Sequence, residues 1–288
     1  MSTVPASPAT HAATASDAVA VADPLHSALS ARTPPARPGA PAAALAFSWR
    51  AVVRIRHLPD QLFDVTVFPV MMLVLFAYLF GGALAGSTGE YLQEVLPGIL
   101  VMTVTMTTQS TAVALNTDIA KGVFDRFRSL PIWRPAPLVG ALLADLGRYA
   151  ITATMIVGLG TVLGFRPDAG LPGVLAGVGL VLVFAWSLSW VWTTLGLLAR
   201  SPESVMFLGI LVTFPLSFVS NVFVDPATLP GWLEAFVDIN PLTHLVTAVR
   251  GLMHGDAAAV EIGWVLMICA VLVAVFGPLT MRLYRRER

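Results

Sequence analysis

Charged residues and cysteine are scarce in this chain of 288 residues. Only 12% of its residues are charged, against about 25% in an ordinary soluble domain, and 56% are hydrophobic. The single cysteine, Cys269, excludes an intrachain disulfide and a cysteine-based metal cluster. The five histidines show no ligand spacing such as HExxH, so the sequence predicts no metal centre. The net charge of zero argues against nucleic acid as a partner.

Motifs for catalysis and for nucleotide binding are also missing. The only lysine, Lys121, lies between Ala120 and Gly122 and does not belong to a GxxxxGK[ST] phosphate loop. No GxSxG nucleophile elbow and no paired acids of a hydrolase occur, so we predict no catalytic residue and no cofactor bound by this chain. If the chain transports a solute, either an ion gradient or an ATPase on another subunit must supply the energy.

Six long apolar runs divide the chain. A helix crosses the hydrocarbon core of a bilayer, about 30 Å thick, with about 20 mostly apolar residues. The sequence therefore predicts an all-α polytopic membrane protein with six transmembrane helices, and an even number of crossings returns both ends to one side. The predicted spans are 62–84, 95–115, 138–164, 172–198, 204–224 and 262–283.

Basic residues fall almost entirely on one side of this predicted path, and cytoplasmic loops are the ones that retain Lys and Arg. The other side has only Arg166 and Arg250, with most of the acids. Both termini are therefore predicted to be cytoplasmic. The preference for arginine over lysine indicates a G+C-rich bacterial genome, so we expect the bacterial cell membrane. The basic residues of the cytoplasmic side are Arg32, Arg37, Arg50, Arg54, Arg56, Lys121, Arg126, Arg128, Arg134, Arg200, Arg282, Arg285, Arg286 and Arg288.

The segment before the first span has two parts. Residues 1–44 are rich in Ala, Pro, Ser and Thr, a composition that predicts a disordered cytoplasmic tail. Leu45, Trp49, Val52 and Ile55 then recur at helical spacing, which predicts an amphipathic helix in the lipid interface. This helix is either a simple membrane anchor or an element that transmits motion.

The cytoplasmic loop after the second span contains an apolar stripe. Asn116 or Thr117 is predicted to cap a new helix, which Pro131 ends. Such a stripe needs a surface that buries it, either the lipid or a cleft in another protein. Its apolar residues are Ile119, Val123, Phe124, Phe127 and Leu130, and the residues left to solvent or to a partner are Lys121, Asp125, Arg126 and Arg128.

Polar and aromatic side chains are grouped within three spans. They either line a path for a solute or serve ordinary helix packing, in which hydroxyls bond their own backbone. The candidates are Thr103, Thr107 and Ser110 in the second span, Trp186 and Trp190 in the fourth, and Thr213, Ser217 and Asn221 in the fifth.

Asp64, Asp145 and Arg148 are the ionisable residues closest to the predicted hydrocarbon. Asp145 and Arg148 are three residues apart and share one helix face, which favours a structural ion pair near the cytoplasmic end of the third span. A proton relay is the alternative, and it would make the protein a proton-linked secondary exporter.

The outer segment 225–261 contains two short amphipathic stretches separated by prolines. One begins at Trp232 and the other includes Leu245 and Val249. Such short helices cannot span a bilayer, so we expect them to dip into the outer leaflet or to cover the protein from outside.

Several segments together resemble one family of transporters. The loop KGVFDRFRSLP at 121–131, the outer LPGWL at 229–233, NPLT at 240–243 and RGL at 250–252, combined with six spans, are similar to the type-2 ABC exporter permeases. The daunorubicin-resistance-type drug permeases are the branch most similar. The resemblance covers about residues 45–285, which would form the type-2 ABC transmembrane domain.

This resemblance implies a permease subunit that pairs with a second copy of itself and with two ATP-binding subunits, which hold ATP and Mg. The solute would be hydrophobic or amphipathic, a drug, lipid or secondary metabolite, and would leave the cell between the two permease copies, near the second and fifth spans. Segment 116–130 would be the coupling helix, 45–58 the connecting helix and 229–252 the re-entrant helices that close the exit. The implied coupling residues are Ile119, Lys121, Val123, Phe124, Arg126, Phe127 and Arg128, and the implied outer gate residues are Trp232, Asn240, Pro241 and Arg250.

Overall fold

A computed structural model describes residue 67 and residues 70–79, 88–122, 135–222 and 230–286. All of them lie in one compact unit, Gly39–Arg288. The predicted tail, the interfacial helix and Asp64 lie outside the described residues.

The described residues form helices joined by short turns, without a strand. Buried apolar side chains form the core, and the largest cluster joins α1, α2, α4, α5, α8 and α9. The helices are α1 (Val70–Leu79), α2 (Thr88–Thr107), α3 (Gln109–Ala120), α4 (Ala136–Leu163), α5 (Gly170–Leu198), α6 (Pro202–Phe218), α7 (Gly231–Ile239), α8 (Pro241–His254) and α9 (Ala259–Arg286).

Four stretches are long and apolar enough to cross a membrane: Gly89–Ala120, Ala136–Leu163, Gly170–Leu198 and Ala259–Tyr284. They correspond to the second, third, fourth and sixth predicted spans. The 29 residues of α5 would extend over about 43 Å at a rise of about 1.5 Å per residue. Two further apolar helices, α1 and α6, are shorter. The fifth predicted span, 204–224, is longer than the helix observed there, because α6 ends at Phe218 and the chain turns at 219–222.

Local sequence signals set several helix ends. The Ser201 side chain accepts a hydrogen bond from the Ser204 backbone N–H, and Pro202 opens α6 with a suitable fixed φ. Gly164 and Gly255 follow α4 and α8 with φ of 111° and 92°, a left-handed conformation that favours glycine. Along the chain, two short helices, α7 and α8, lie between α6 and α9, as the sequence predicted.

The central helix is α5, which packs against α3, α4, α8 and α9. Gly173 and Gly177 allow α8 to approach closely, since a Cβ on Gly173 would lie 2.3 Å from the Leu252 carbonyl oxygen. In contrast, α6 leaves most of its large apolar side chains exposed, and α9 leaves several exposed, as expected of helices that face lipid or another chain.

Candidate functional site

Hydroxyl side chains surround the break between α2 and α3, in the middle of the second predicted span. Thr107 Oγ1 donates a hydrogen bond to the Thr103 carbonyl (2.9 Å), and Ser110 Oγ donates one to the Thr107 carbonyl (2.6 Å). Thr108 Oγ1 likewise donates to the Thr105 carbonyl (2.6 Å). Such bonds compete with the helix ladder and bend helices. The predicted path residues Thr107 and Ser110 therefore use their hydroxyls on their own backbone, and Thr103 is buried.

Small and polar residues of α6 face the helix formed by α2 and α3. Gly209 lies against Gln109, and Val222 lies against Gly98, so that α6 runs antiparallel to that helix. Thr213 and Ser217 are buried in the same stripe, and Ser217 Oγ has no hydrogen-bond partner among the described residues. Within one chain, these two predicted path residues are buried on the face of α6 that contacts α2 and α3. Their stripe consists of Val205, Gly209, Thr213 and Ser217.

Of the two tryptophans of the fourth predicted span, Trp190 is buried and Trp186 is partly buried. Trp186 and Trp190 contact each other edge to face, with ring centroids 5.9 Å apart. They pack in a cluster with residues of α3, α4 and α9, including Leu115, Leu142 and Phe276. Of the two alternatives for these residues, this position favours helix packing over stacking with a solute.

A buried polar network joins α3, α4 and α5. Arg148 Nη2 donates to Asp145 Oδ1, and Thr111 Oγ1 donates to Asp145 Oδ2, both at 2.5 Å. The Tyr149 hydroxyl lies 3.2 Å from Thr111 Oγ1 and 2.8 Å from Ser189 Oγ. The ion pair lies in the first half of α4, which begins at Ala136 and ends at Leu163. Both carboxylate oxygens of Asp145 have donors, which satisfies its buried charge, whereas Arg148 Nε has no hydrogen-bond partner among the described residues.

The end of α3 differs from the predicted start of a new helix. Asn116 and Thr117 lie inside α3, so the expectation that either one caps a helix beginning there is wrong. The Asn116 side chain instead donates to the Gly196 and Ala199 carbonyls (2.9 and 2.8 Å), which lack intrahelical donors at the end of α5. This amide fixes the ends of two helices to each other.

The predicted coupling residues fall on both sides of the end of α3. Ile119 is partly buried and packs against the interior cluster of Leu115 and Trp190. The helix ends at Ala120, the exposed Lys121 follows it, and Gly122 comes next with φ 66°. The remaining members, Val123, Phe124, Arg126, Phe127 and Arg128, lie outside the described residues.

Asn240 connects three helices at the opposite end of the molecule. Its Oδ1 accepts from the Leu242 N–H (2.9 Å) and caps α8, which Pro241 opens. Its Nδ2 donates to the Leu216 and Val219 carbonyls (2.8 and 2.6 Å) at the end of α6. One buried amide therefore fixes the turn from α7 to α8 against α6.

The other predicted gate residues have different surroundings. Trp232 is 77% exposed on α7. Arg250 Nη2 donates to the Glu94 and Asn221 carbonyls (3.1 and 3.3 Å), and its Nε also reaches the Glu94 carbonyl (3.3 Å). Burial lowers the pKa of this guanidinium, and the carboxylates of Glu94 and Asp256 oppose the change. Asn221, a predicted path residue, donates to Thr247 Oγ1 on α8 (2.8 Å).

A proline in α2 accounts for the hydrogen bonds between α8 and the backbone of α2. Pro97 has no N–H, so the Gln93 carbonyl four residues earlier loses its helix donor. His254 Nε2 lies 3.1 Å from that oxygen. Arg250, one turn earlier on α8, donates to the next carbonyl, that of Glu94. Thus two side chains of α8 supply donors at the proline kink.

Comparisons with known proteins agree with this architecture. Residues 43–254 match the family model of the ABC-2 type transporter. The chain belongs to the ABC-2 type transporter family. It is 51% identical over 263 residues to the daunorubicin resistance ABC transporter permease protein DrrB1 of Streptomyces coeruleorubidus, covering 91% of this chain and 93% of that protein.

More distant relatives come from Mycobacterium tuberculosis. The chain is 26% identical over 223 residues to a probable doxorubicin resistance ABC transporter permease protein, DrrC, covering 76% of this chain and 80% of the relative. It is 25% identical over 189 residues to the doxorubicin resistance permease DrrB, covering 65% of each. With its apolar helices, this ABC-2 permease is a multi-pass membrane protein.

Several residues that organise the ABC-2 permease were not predicted to be functional. Thr111, Tyr149 and Ser189 complete the buried network, but single hydroxyls in apolar runs give no sign of a partner on another helix. Gln93 and His254 are different, because Pro97 inside an apolar run is itself a signal. It implies an unpaired carbonyl four residues earlier, and hence a donor elsewhere in the chain.

Proposed function

We propose that this chain is the permease subunit of an ATP-driven exporter that moves a hydrophobic or amphipathic solute out of the cell. Membership of the ABC-2 family, with 51% identity to a daunorubicin resistance permease over nearly the whole length of both proteins, carries this proposal. The solute class is a drug, lipid or secondary metabolite, and an anthracycline such as daunorubicin is the first to test. ATP and Mg bind to a separate subunit, and this chain is not itself an enzyme.

The topology that we propose has six spans and cytoplasmic termini in the bacterial cell membrane. The short helices α1 and α6 supply the two further crossings, with part of the first in residues 62–84. The positions of the described charges support this orientation: Lys121, Arg200 and Arg282 lie at the end assigned to the cytoplasm. The opposite end has Asp168, Glu234, Asp238, Asp256 and Glu261. There α7 and α8 would be the re-entrant helices, with Trp232 in lipid.

The solute path lies between two copies of the chain in this proposal. The face of α6 opposite its buried stripe supports such a dimer, because it exposes large apolar side chains that nothing in the described residues covers. The buried stripe of α6, which includes Thr213 and Ser217, then packs against α2 and α3 until α6 moves away from them. The exposed residues are Phe207, Ile210, Leu211 and Phe214.

Drug accumulation in cells tests the proposal. Bacteria expressing this chain with its ATP-binding subunit should hold less daunorubicin than cells expressing either subunit alone. The matched control is an ATP-binding subunit whose phosphate-loop lysine is replaced by alanine. Equal accumulation in all strains would contradict daunorubicin export, and equal accumulation of a panel of lipids and antibiotics would contradict the exporter assignment.

A proton-linked secondary exporter is the alternative. The buried Asp145 is the residue that it would use, but Arg148 and Thr111 already occupy both of its carboxylate oxygens, which favours a structural ion pair. Export that a protonophore abolishes while cellular ATP persists, and that Asp145→Asn also abolishes, would support the alternative.

Coupling to the ATP-binding subunit is assigned to the loop after α3. Phe124→Ala together with Phe127→Ala should lower the ATPase activity of the assembled transporter by about tenfold or more, because aromatic anchors dominate such interfaces. Leu171→Ala together with Leu175→Ala, two exposed residues at the other end of the molecule, is the matched control. Unchanged ATPase activity and export in the phenylalanine variant would refute the assignment of the coupling segment.

A further inference from the structure

Both described histidines lie on α8, and each one faces a carboxylate. His244 Nδ1 is 2.8 Å from Glu261 Oε2 at the start of α9, and its ring stacks on Trp264. His254 Nδ1 is 3.1 Å from Asp168 Oδ2 in the turn between α4 and α5. The two histidines therefore hold the two ends of one helix, but they differ in what their second ring nitrogen meets.

The second nitrogen of His254 also faces an oxygen. Its Nε2 lies 3.1 Å from the Gln93 carbonyl, which Pro97 has deprived of a helix donor. A carbonyl can only accept, so this contact needs Nε2–H. A carboxylate can also only accept, so the contact with Asp168 needs Nδ1–H. The neutral ring has one N–H, and both bonds form only when the His254 and Asp168 pair holds one more proton.

His244 lacks this requirement. Only its Nδ1 contacts an acceptor within the described residues, and the neutral Nδ1–H tautomer satisfies Glu261. This bond therefore survives loss of the charge. The same helix thus contains one histidine contact that depends on a proton and one that does not.

We propose that His254, Asp168 and the Gln93 carbonyl form a proton-operated clamp that holds the C-terminal end of α8 against the proline kink of α2. The imidazole is 20% exposed and Phe165 packs edge to face against it, whereas Asp168 is 78% exposed. The ring is therefore fixed in place while the solvent pH reaches the pair directly.

The surrounding charges come from each neighbouring element. Asp168 and Arg166 lie in the turn between α4 and α5, and Glu94 belongs to α2. Arg250 precedes His254 by one turn and Asp256 follows it. Arg250 donates a hydrogen bond to the Glu94 carbonyl, and Arg166 Nη1 donates to the Thr161 and Phe165 carbonyls (2.9 and 3.0 Å). An imidazolium at the C-terminus of a helix also interacts favourably with the helix dipole.

Closure takes up a proton, so the clamp closes as the pH falls and opens as the pH rises. Values of about pH 6 and about pH 8 lie on either side of the ordinary pKa of a histidine side chain. Closure and proton uptake favour each other by linkage. In the proposed topology this end of the molecule faces the outside, so the clamp responds to external pH. Only that assignment of side rests on the proposed function, since the clamp itself needs no transport.

Hydrogen exchange of the full-length chain in lipid nanodiscs tests the clamp. The Ala169 amide reports on it, because it donates to the Met253 carbonyl across the same junction (3.1 Å). Protection is compared between parent and His254→Gln at the same pH, which cancels the intrinsic pH dependence of exchange. We expect parent protection to exceed that of the variant by about threefold to tenfold near pH 6, and the difference to disappear near pH 8.

Two further variants separate the clamp from a merely structural contact. Asp168→Asn can donate to Nδ1 of the neutral ring, so this variant should remain protected at both pH values and lose the pH dependence. His244→Gln should keep the parent's pH dependence. The proposal is overturned if parent and His254→Gln differ equally at both pH values, if Asp168→Asn loses protection at both, or if His244→Gln removes the pH dependence.

Discussion

Two short helices of the permease, α8 and α6, are attached to the rest of the chain in different ways. Eight of the 14 residues of α8 are buried, against four of the 17 residues of α6. Side chains of α8 donate to backbone carbonyls of α2, and its backbone lies directly on Gly173 of α5. In contrast, α6 contacts α2 and α3 through small residues, with Gly209 under the flexible tip of Gln109. We infer that α8 belongs to a fixed frame and that α6 is able to shift against it.

A substitution that disrupts the contact of α8 with α5 should have the largest effect on stability. In Gly173→Val, the new Cβ would lie 2.3 Å from the Leu252 carbonyl oxygen, and backbone cannot move away as a side chain can. We expect a loss of about 3 kcal/mol or more, measured as a lower midpoint of thermal unfolding in detergent. Gly179→Val on the same helix meets no atom within 4 Å and is the matched control. Equal midpoints for the two variants would show that α8 is not rigidly docked.

Substitutions of Asn240 allow the attachments of α6 and α8 to be tested separately. Asn240→Asp keeps the acceptor that caps α8 but removes the two donations to the end of α6, at a cost of about 1–3 kcal/mol. Hydrogen exchange should therefore increase at residues 216–222 and remain unchanged at 242–246. Asn240→Ala should increase exchange at both. The inference is wrong if Asn240→Asp loosens the start of α8 as much as the end of α6.

The smallest effect is expected where α6 meets α3. Gly209→Ala brings its Cβ within 2.2 Å of Gln109 Oε1, but that side chain can rotate away. Alanine also favours a helix by up to about 1 kcal/mol over glycine, so stability should change by less than about 1 kcal/mol. Gly196→Ala is the contrasting variant, since its Cβ would lie 2.8 Å from the Ala112 carbonyl oxygen. Thermal midpoints should fall for Gly196→Ala alone.

The sequence predicted which stretches form long apolar helices, because length and hydropathy decide that property locally. It also predicted two short helices within 225–261, because their length and prolines are visible in the sequence. The ion pair of Asp145 and Arg148 was evident from its spacing of three residues. What could not be predicted are contacts between residues distant in the chain. The sequence predicted that Asn116 caps a helix at its own position. Its amide instead caps the end of α5, about eighty residues further along the chain.

The candidate path residues illustrate a second limit. Hydroxyls in an apolar helix look the same whether they line a path, bond their own backbone, or face another helix. Thr107 and Ser110 take the second role, and Thr213 and Ser217 the third. In the same way, the apolar stripe that begins at Ile119 did not reveal that its first residue packs against the chain's own interior.

Hydrogen exchange of the assembled transporter, with and without bound ATP, tests the contrast between α6 and α8 most directly. The measurement is made near pH 6, with the ATP-binding subunit inactivated so that ATP persists. We predict that exchange at 206–218 in α6 changes between the two states by more than about fivefold, while exchange at 242–253 in α8 stays the same. A change confined to α8, with α6 unaffected, would contradict the account.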